Sequence, residues 1–106
     1  QSGNRVSDAN FVLIGLVVDQ PLPRLGLAIG KKVANRAVDR NRLKRLIRET
    51  FRCSRPVLPR DDFVVLARNG AKTLSTAAIR HSLTRLWRRH REKYRDADVG
   101  ADGPVP

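Results

Sequence analysis

Methionine is absent from this 106-residue chain, cysteine occurs once, and aromatic residues make up only 5% of it. A lone cysteine, Cys53, cannot form an internal disulfide, which fits a reducing, cytoplasmic compartment. With only two histidines beside it, no zinc-ligand spacing is available. A chain without methionine does not open on a start codon, so it is read as shortened at its N-terminus, naturally or by engineering. The opening residues, Gln1 to Arg5, lack the apolar segment of a signal peptide. No run approaches the ~20 apolar residues that span a bilayer. Acids are also scarce, 10 against 22 Lys and Arg, for a formal net charge of +12. That imbalance is the electrostatic footprint of a nucleic-acid partner, with an anionic membrane surface the weaker competitor. Hydrophobic content is an ordinary 41%, so one folded domain is expected over residues 1–95.

What is present reads as β-β-α-β-α, an α+β domain with two helices on a small sheet. Asn10 to Asp19 is rich in β-prone residues, with Gly15 a bend or bulge. Two prolines in Asp19-Gln20-Pro21-Leu22-Pro23 make a turn. Arg24 to Gly30 alternates with period two: Leu25, Leu27 and Ile29 face one way, Gly26, Ala28 and Gly30 the other. The small-residue face either stays open to another molecule's backbone or packs closely on a neighbouring helix. Asn35 can cap a helix running from Ala37 to Cys53, ended by Ser54, Pro56 and Pro59. Asp62 to Ala67 is a third, largely buried strand. Ser75 or Thr76 caps a last helix to about Tyr94, with Ile79, Leu83, Leu86, Trp87, His90 and Tyr94 as its buried stripe. From Asp96 to Pro106 the composition predicts a disordered tail.

The charge is concentrated. Residues 31–55 hold ten basic side chains against Asp39 and Glu49, whereas residues 1–30 are neutral. On the first helix Leu43, Leu46, Ile47 and Phe51 span an arc of about 140° and form a core stripe. Asn41, Arg42, Lys44, Arg45, Arg48 and Arg52 take the opposite side. Like charges this close repel by a few tenths of a kcal/mol per pair, and a polyanion relieves that repulsion. A merely solvated face would mix Glu with Lys; this one does not. Arginine favours bidentate phosphate contacts and stacking, and Asn41 adds an amide for a base edge or a 2′-hydroxyl.

The stretch Asn35 to Arg52, with Arg40-Asn41-Arg42, Lys44-Arg45 and Arg48-Glu49 at its centre, resembles the signature of the bacterial ribonuclease P protein family. Gly26-Leu-Ala-Ile-Gly-Lys-Lys32, Asp62 to Arg68 and the Leu86-Trp87 helix match as well, so the resemblance covers residues 9 to 94. It implies a fold like domain 2 of ribosomal protein S5, with a left-handed β-α-β crossover. It also implies a subunit of an endonucleolytic ribonucleoprotein in which RNA is the catalyst, Mg²⁺ is used by the complex, and the 5′ leader of precursor tRNA is removed. Lys31, Lys32, Arg36, Arg42, Arg45 and Arg52 match positions that contact the catalytic RNA. Val12, Ile14 and Ala28 match the floor of a leader cleft, and Arg40, Asn41, Lys44 and Arg48 its basic side. Ile14 replaces an aromatic often found there. The family's N-terminal helix has no counterpart in the chain, and self-association through the cleft it would cover is expected.

Two other functions compete. A protein-only nuclease needs acids converging on metal ions, but the ten acids are scattered, and His81 and His90 lie about 13 Å apart along one helix. The nearer rival is a ribosomal or other non-catalytic module for structured RNA, which composition alone does not separate from the first reading.

Overall fold

The computed structural model describes the backbone of residues 3–18 and 21–102, and side chains as far as Lys93. Asp8 organises its first turn. One carboxylate oxygen accepts the amides of Asn10 and Phe11, each at 2.8 Å, an arrangement that turns the chain with no need for glycine. The turn joins β1 (Gly3–Ser7) to β2 (Phe11–Leu16) as an antiparallel hairpin. β1 is an addition to the expected order, which becomes β-β-β-α-β-α. Its residues, Gly-Asn-Arg-Val-Ser, have little β-propensity of their own; pairing with β2 supplies the ladder. β2 stops at Leu16, three residues short of the expected end.

β3 (Arg24–Ala28) and β4 (Asp62–Ala67) complete a four-stranded sheet in the order β1-β2-β4-β3. β4 runs antiparallel to β2 and parallel to β3, so α1 (Ala37–Ser54) is the crossover between two parallel strands. α1 and α2 (Thr76–Asp102) pack on each other; α1 touches β3, and α2 covers β1 and β2. Ser75 caps α2, accepting the Ala78 amide at 3.1 Å. The helix passes the expected end near Tyr94, because residues 94–102 contain no proline to stop it. The expected tail is therefore helical as far as Asp102, and residues 103–106 lie outside the described ones.

The core lies between the helices and one face of the sheet. Phe11, Leu13, Phe63 and Val65 meet Leu43, Leu46, Ile47 and Phe51 of α1 and Ile79, Leu83, Leu86 and Trp87 of α2. Both expected helical stripes are buried, His90 among them; the Tyr94 side chain lies outside the described residues. Trp87 packs 5.4 Å from Phe51 and 5.5 Å from Phe63, centroid to centroid. Its Nε1 donates to Thr50 Oγ1 at 3.0 Å, and Thr50 in turn donates to the Ile47 carbonyl. The indole thus holds α1, β4 and α2 together with its polar atom satisfied.

Gly15 makes no bulge. It stays in register between Asn4 and Phe63. A Cβ there would sit 2.7 Å from His90 Nε2. The glycine is there to let α2 come close to β2.

Candidate nucleic-acid interface

The sheet face turned away from the helices is built by strand alternation. Val12, Leu66 and Ala28 stand in one row across β2, β4 and β3; Ile14, Val64 and Gly26 stand in the next. The outer strands of such a row are about 10 Å apart. The three expected floor residues, Val12, Ile14 and Ala28, therefore share one surface. Gly26 joins it on the β3 face that period two had set apart, and Val64 and Leu66 belong to it too, missed because β4 reads as buried on both faces. Val12 is nearly covered at 6% exposure, whereas Ile14, Val64 and Leu66 are half-buried and Gly26, Ala28 and Gly30 exposed. The small-residue side of β3 is open, the first of the two alternatives its period allowed. At its far end Arg24 grips Asp62 with two hydrogen bonds of 2.8 and 3.0 Å, lining a depression with Leu16, Gly26 and Val64.

α1 distributes its basic residues over two flanks and a crest. Its N-cap is Arg36, without a side-chain hydrogen bond, so Asn35 does not cap it. Instead, Arg40 Nη1 donates to the carbonyls of Ala34 and Asn35 at 2.9 and 3.1 Å. The same segment turns tightly at Gly30, whose carbonyl accepts the amides of Val33 and Ala34, and leaves Lys31 and Lys32 exposed. At about 100° per residue, Arg40, Lys44 and Arg48 form the flank away from α2. Asn41, Arg45 and Arg52 form the exposed crest.

The other flank faces α2. Arg42 Nη2 donates to the Leu74 carbonyl at 2.8 Å and to Thr76 Oγ1 at 3.3 Å. Glu49 accepts two hydrogen bonds from Arg80, at 2.5 and 3.1 Å. Those bonds, and the nearby charges of Arg80, Arg52 and Arg45, hold the Glu49 carboxyl below its usual range. The acid that interrupted the basic run is thus committed to an interhelical pair. Sequence spacing gave no sign of either clamp, since the partners lie more than thirty positions apart.

Among the described residues, no group of His, Cys, Asp and Glu could hold a metal ion, and no helix is long and apolar enough to cross a membrane. A family model described as Ribonuclease P matches residues 1–91. This chain belongs to the ribonuclease P protein family.

It is 44% identical over 90 residues to the ribonuclease P protein component of Photorhabdus laumondii, covering 85% of this chain and 76% of that one. Identity to the component from Yersinia enterocolitica is 41% with the same coverage. The RNase P protein of Staphylococcus aureus superposes with a TM-score of 0.76 at 33% identity, over 82% of this chain and 80% of that one. The protein from Thermotoga maritima does so with a TM-score of 0.71 at 29% identity, over 82% and 83%. The family decides against the ribosomal alternative. As a ribonuclease P protein, the chain is a subunit of the ribonucleoprotein endoribonuclease that processes tRNA.

Proposed function

We propose that the open sheet face and the flank of α1 beside it receive the 5′ leader of precursor tRNA, while the rest of the basic surface docks on the catalytic RNA. The carrying observation is the row Val12–Leu66–Ala28 on the sheet face turned away from the helices, open along β3, beside a helix whose Arg40, Lys44 and Arg48 share one flank. A leader strand would lie over glycine and alanine with its phosphates toward Arg40, Lys44 and Arg48. Asn41 would reach a base edge or 2′-hydroxyl. Lys31, Lys32 and Arg36 at the turn, with Arg45 and Arg52 on the crest, would meet the catalytic RNA. Arg42 would join them with the part of its guanidinium not spent on Leu74.

Catalysis in this reading belongs to the RNA and its Mg²⁺ ions. The protein adds positive charge where phosphates crowd, and so lowers the Mg²⁺ the complex needs. The working compartment is the cytoplasm. The test is Ala28→Phe, which fills the floor from an exposed position and leaves the core alone. Affinity of the reconstituted complex for precursor tRNA should fall about tenfold, with mature tRNA bound as before. Equal affinities for both substrates before and after the substitution would overturn the leader assignment.

A further inference from the structure

α2 carries a second basic surface that neither the signature stretch nor the leader cleft uses. Between Thr76 and Arg95 it holds seven Lys and Arg against one acid, Glu92. With Ile79, Leu83, Leu86, Trp87 and His90 turned into the core, the opposite side presents His81, Arg85, Arg88 and Arg89, all exposed. They span an arc of about 100° and about 12 Å of helix axis. Arg85 precedes Arg88 by three residues and Arg89 by four, spacings at which like charges repel. Arg80, on the neighbouring flank, is already paired with Glu49. Asp8 lies near Arg85, but its carboxylate is occupied by Ser82 and two backbone amides. Arg89 spends one donor on the Ser7 carbonyl at 3.2 Å.

We infer that this outer face of α2 binds the phosphate backbone of a double-helical RNA segment, separate from any RNA held by the crest of α1. The choice of duplex over single strand follows from what the face offers. Single strands are held by aromatic platforms on which bases stack. Phe11, Phe51, Phe63 and Trp87 are all buried. Among the described residues this face therefore offers Arg85, Arg88 and Arg89, with His81 and the single acid Glu92 in the same arc, and no Phe, Tyr or Trp on which bases could stack. Arginine forks suit phosphate oxygens, and a sequence-independent row of them matches the regular backbone of A-form RNA. α2 covers the helical side of the sheet, and the leader surface is the opposite face. A second RNA segment here therefore leaves the cleft open. The inference rests on the ribonuclease P reading and extends it from one RNA contact to two.

The experiment uses the full chain with Arg85→Gln/Arg88→Gln, keeping Arg89 because it also bonds Ser7. Thermal melting should match the parent, since both residues are exposed. Affinity for a bulge-free RNA duplex should drop at least tenfold. The log–log salt slope should shrink by about two, at about 0.9 per lost phosphate contact. Against the ribonuclease P RNA, the loss should multiply with that of Arg45→Gln/Arg52→Gln on the crest of α1. Unchanged duplex affinity and slope in a folded variant would overturn the inference. So would a variant that loses affinity for anionic vesicles and keeps it for the duplex. A parent chain that fails to bind ribonuclease P RNA at all would instead strike the function proposed above, so the two failures are distinguishable.

Discussion

Arg42 reaches across from the signature helix and donates to the Leu74 carbonyl, locking α1 to the entry of α2. A residue that sequence presents as an RNA ligand is thus also a structural tie. Arg42→Ala should cost stability of about 1–3 kcal/mol, the range for a charged hydrogen bond, alongside any loss of RNA affinity. Thr76→Val, which removes only the longer contact, should cost less. Urea unfolding of both variants measures this, and a fully stable Arg42→Ala protein would deny the tie.

Arg45 on the exposed crest should behave in the opposite way. Arg45→Ala should leave urea unfolding unchanged and weaken catalytic-RNA binding by about 1–3 kcal/mol. The salt slope should fall by about one counterion contact. Lys72→Ala, on the short turn before α2, serves as the control. Equal losses from both variants would mean diffuse attraction with no defined docking.

Gly15→Ala should be destabilising out of proportion to one methyl group. The new Cβ would meet His90 Nε2 at 2.7 Å and Phe63 Cε1 at 3.1 Å. Overpacking of this kind costs about 1–3 kcal/mol. Adding His90→Ala should recover part of the loss, so the pair should be non-additive in thermal melts. Strict additivity would show that the ring is not what the methyl strikes.

Trp87 is the single tryptophan and reports on its own site. Trp87→Ala should cost about 3–5 kcal/mol and Leu46→Ala about 2–5. Thr50→Val, which leaves the indole nitrogen buried without its acceptor, should cost about 1–3 kcal/mol. Intrinsic fluorescence should follow the Leu46 and Thr50 variants, and circular dichroism the Trp87 one. A Leu46→Ala chain as stable as the parent would mean that α1 faces the other way.

Asp8 should give the fold a dependence on acid. Burial pushes its carboxyl up, but hydrogen bonds from Ser82 and the Asn10 and Phe11 amides, with Arg85 nearby, outweigh burial and hold it below the usual value. A group depressed in the folded state contributes stability above its unfolded pKa of about 3.9 and loses it as pH falls through the folded value. The parent should therefore be more stable than Asp8→Asn at neutral pH, with the gap closing below about pH 4. A gap independent of pH would exclude the carboxylate as its source.

The parts of this protein legible in its sequence are those governed by period. The α1 stripe of Leu43, Leu46, Ile47 and Phe51, the two faces of β3 and the α2 stripe through His90 all follow from spacing alone. The parts that escaped depend on partners distant in the chain. β1 has weak propensity and exists because β2 offers it a ladder. Gly15 looks like a break until α2 is placed against it. Asn35 looks like a cap, yet Arg36 takes the N-cap position with no side-chain bond, and Asn35 instead offers its carbonyl to Arg40. In the candidate interface, composition identified the charged residues, but only the fold shows that Arg42 and Glu49 face α2 while Arg40, Lys44 and Arg48 do not.

The sheet order carries a consequence for how the chain comes to be folded. β4 lies between β2 and β3 but is made after both, and pairing Leu13 with Val65 closes a loop of about 50 residues. Such distant pairings form slowly, whereas the β1–β2 hairpin and α1 need only local contacts. During synthesis the arginine-rich α1 therefore leaves the ribosome before the strand that completes its core. The nascent chain shows its most RNA-attractive segment while Phe11 and Leu13 still await Phe63 and Val65. Any polyanion present at that moment competes with folding itself, and early delivery to RNA becomes a question of timing as much as of affinity.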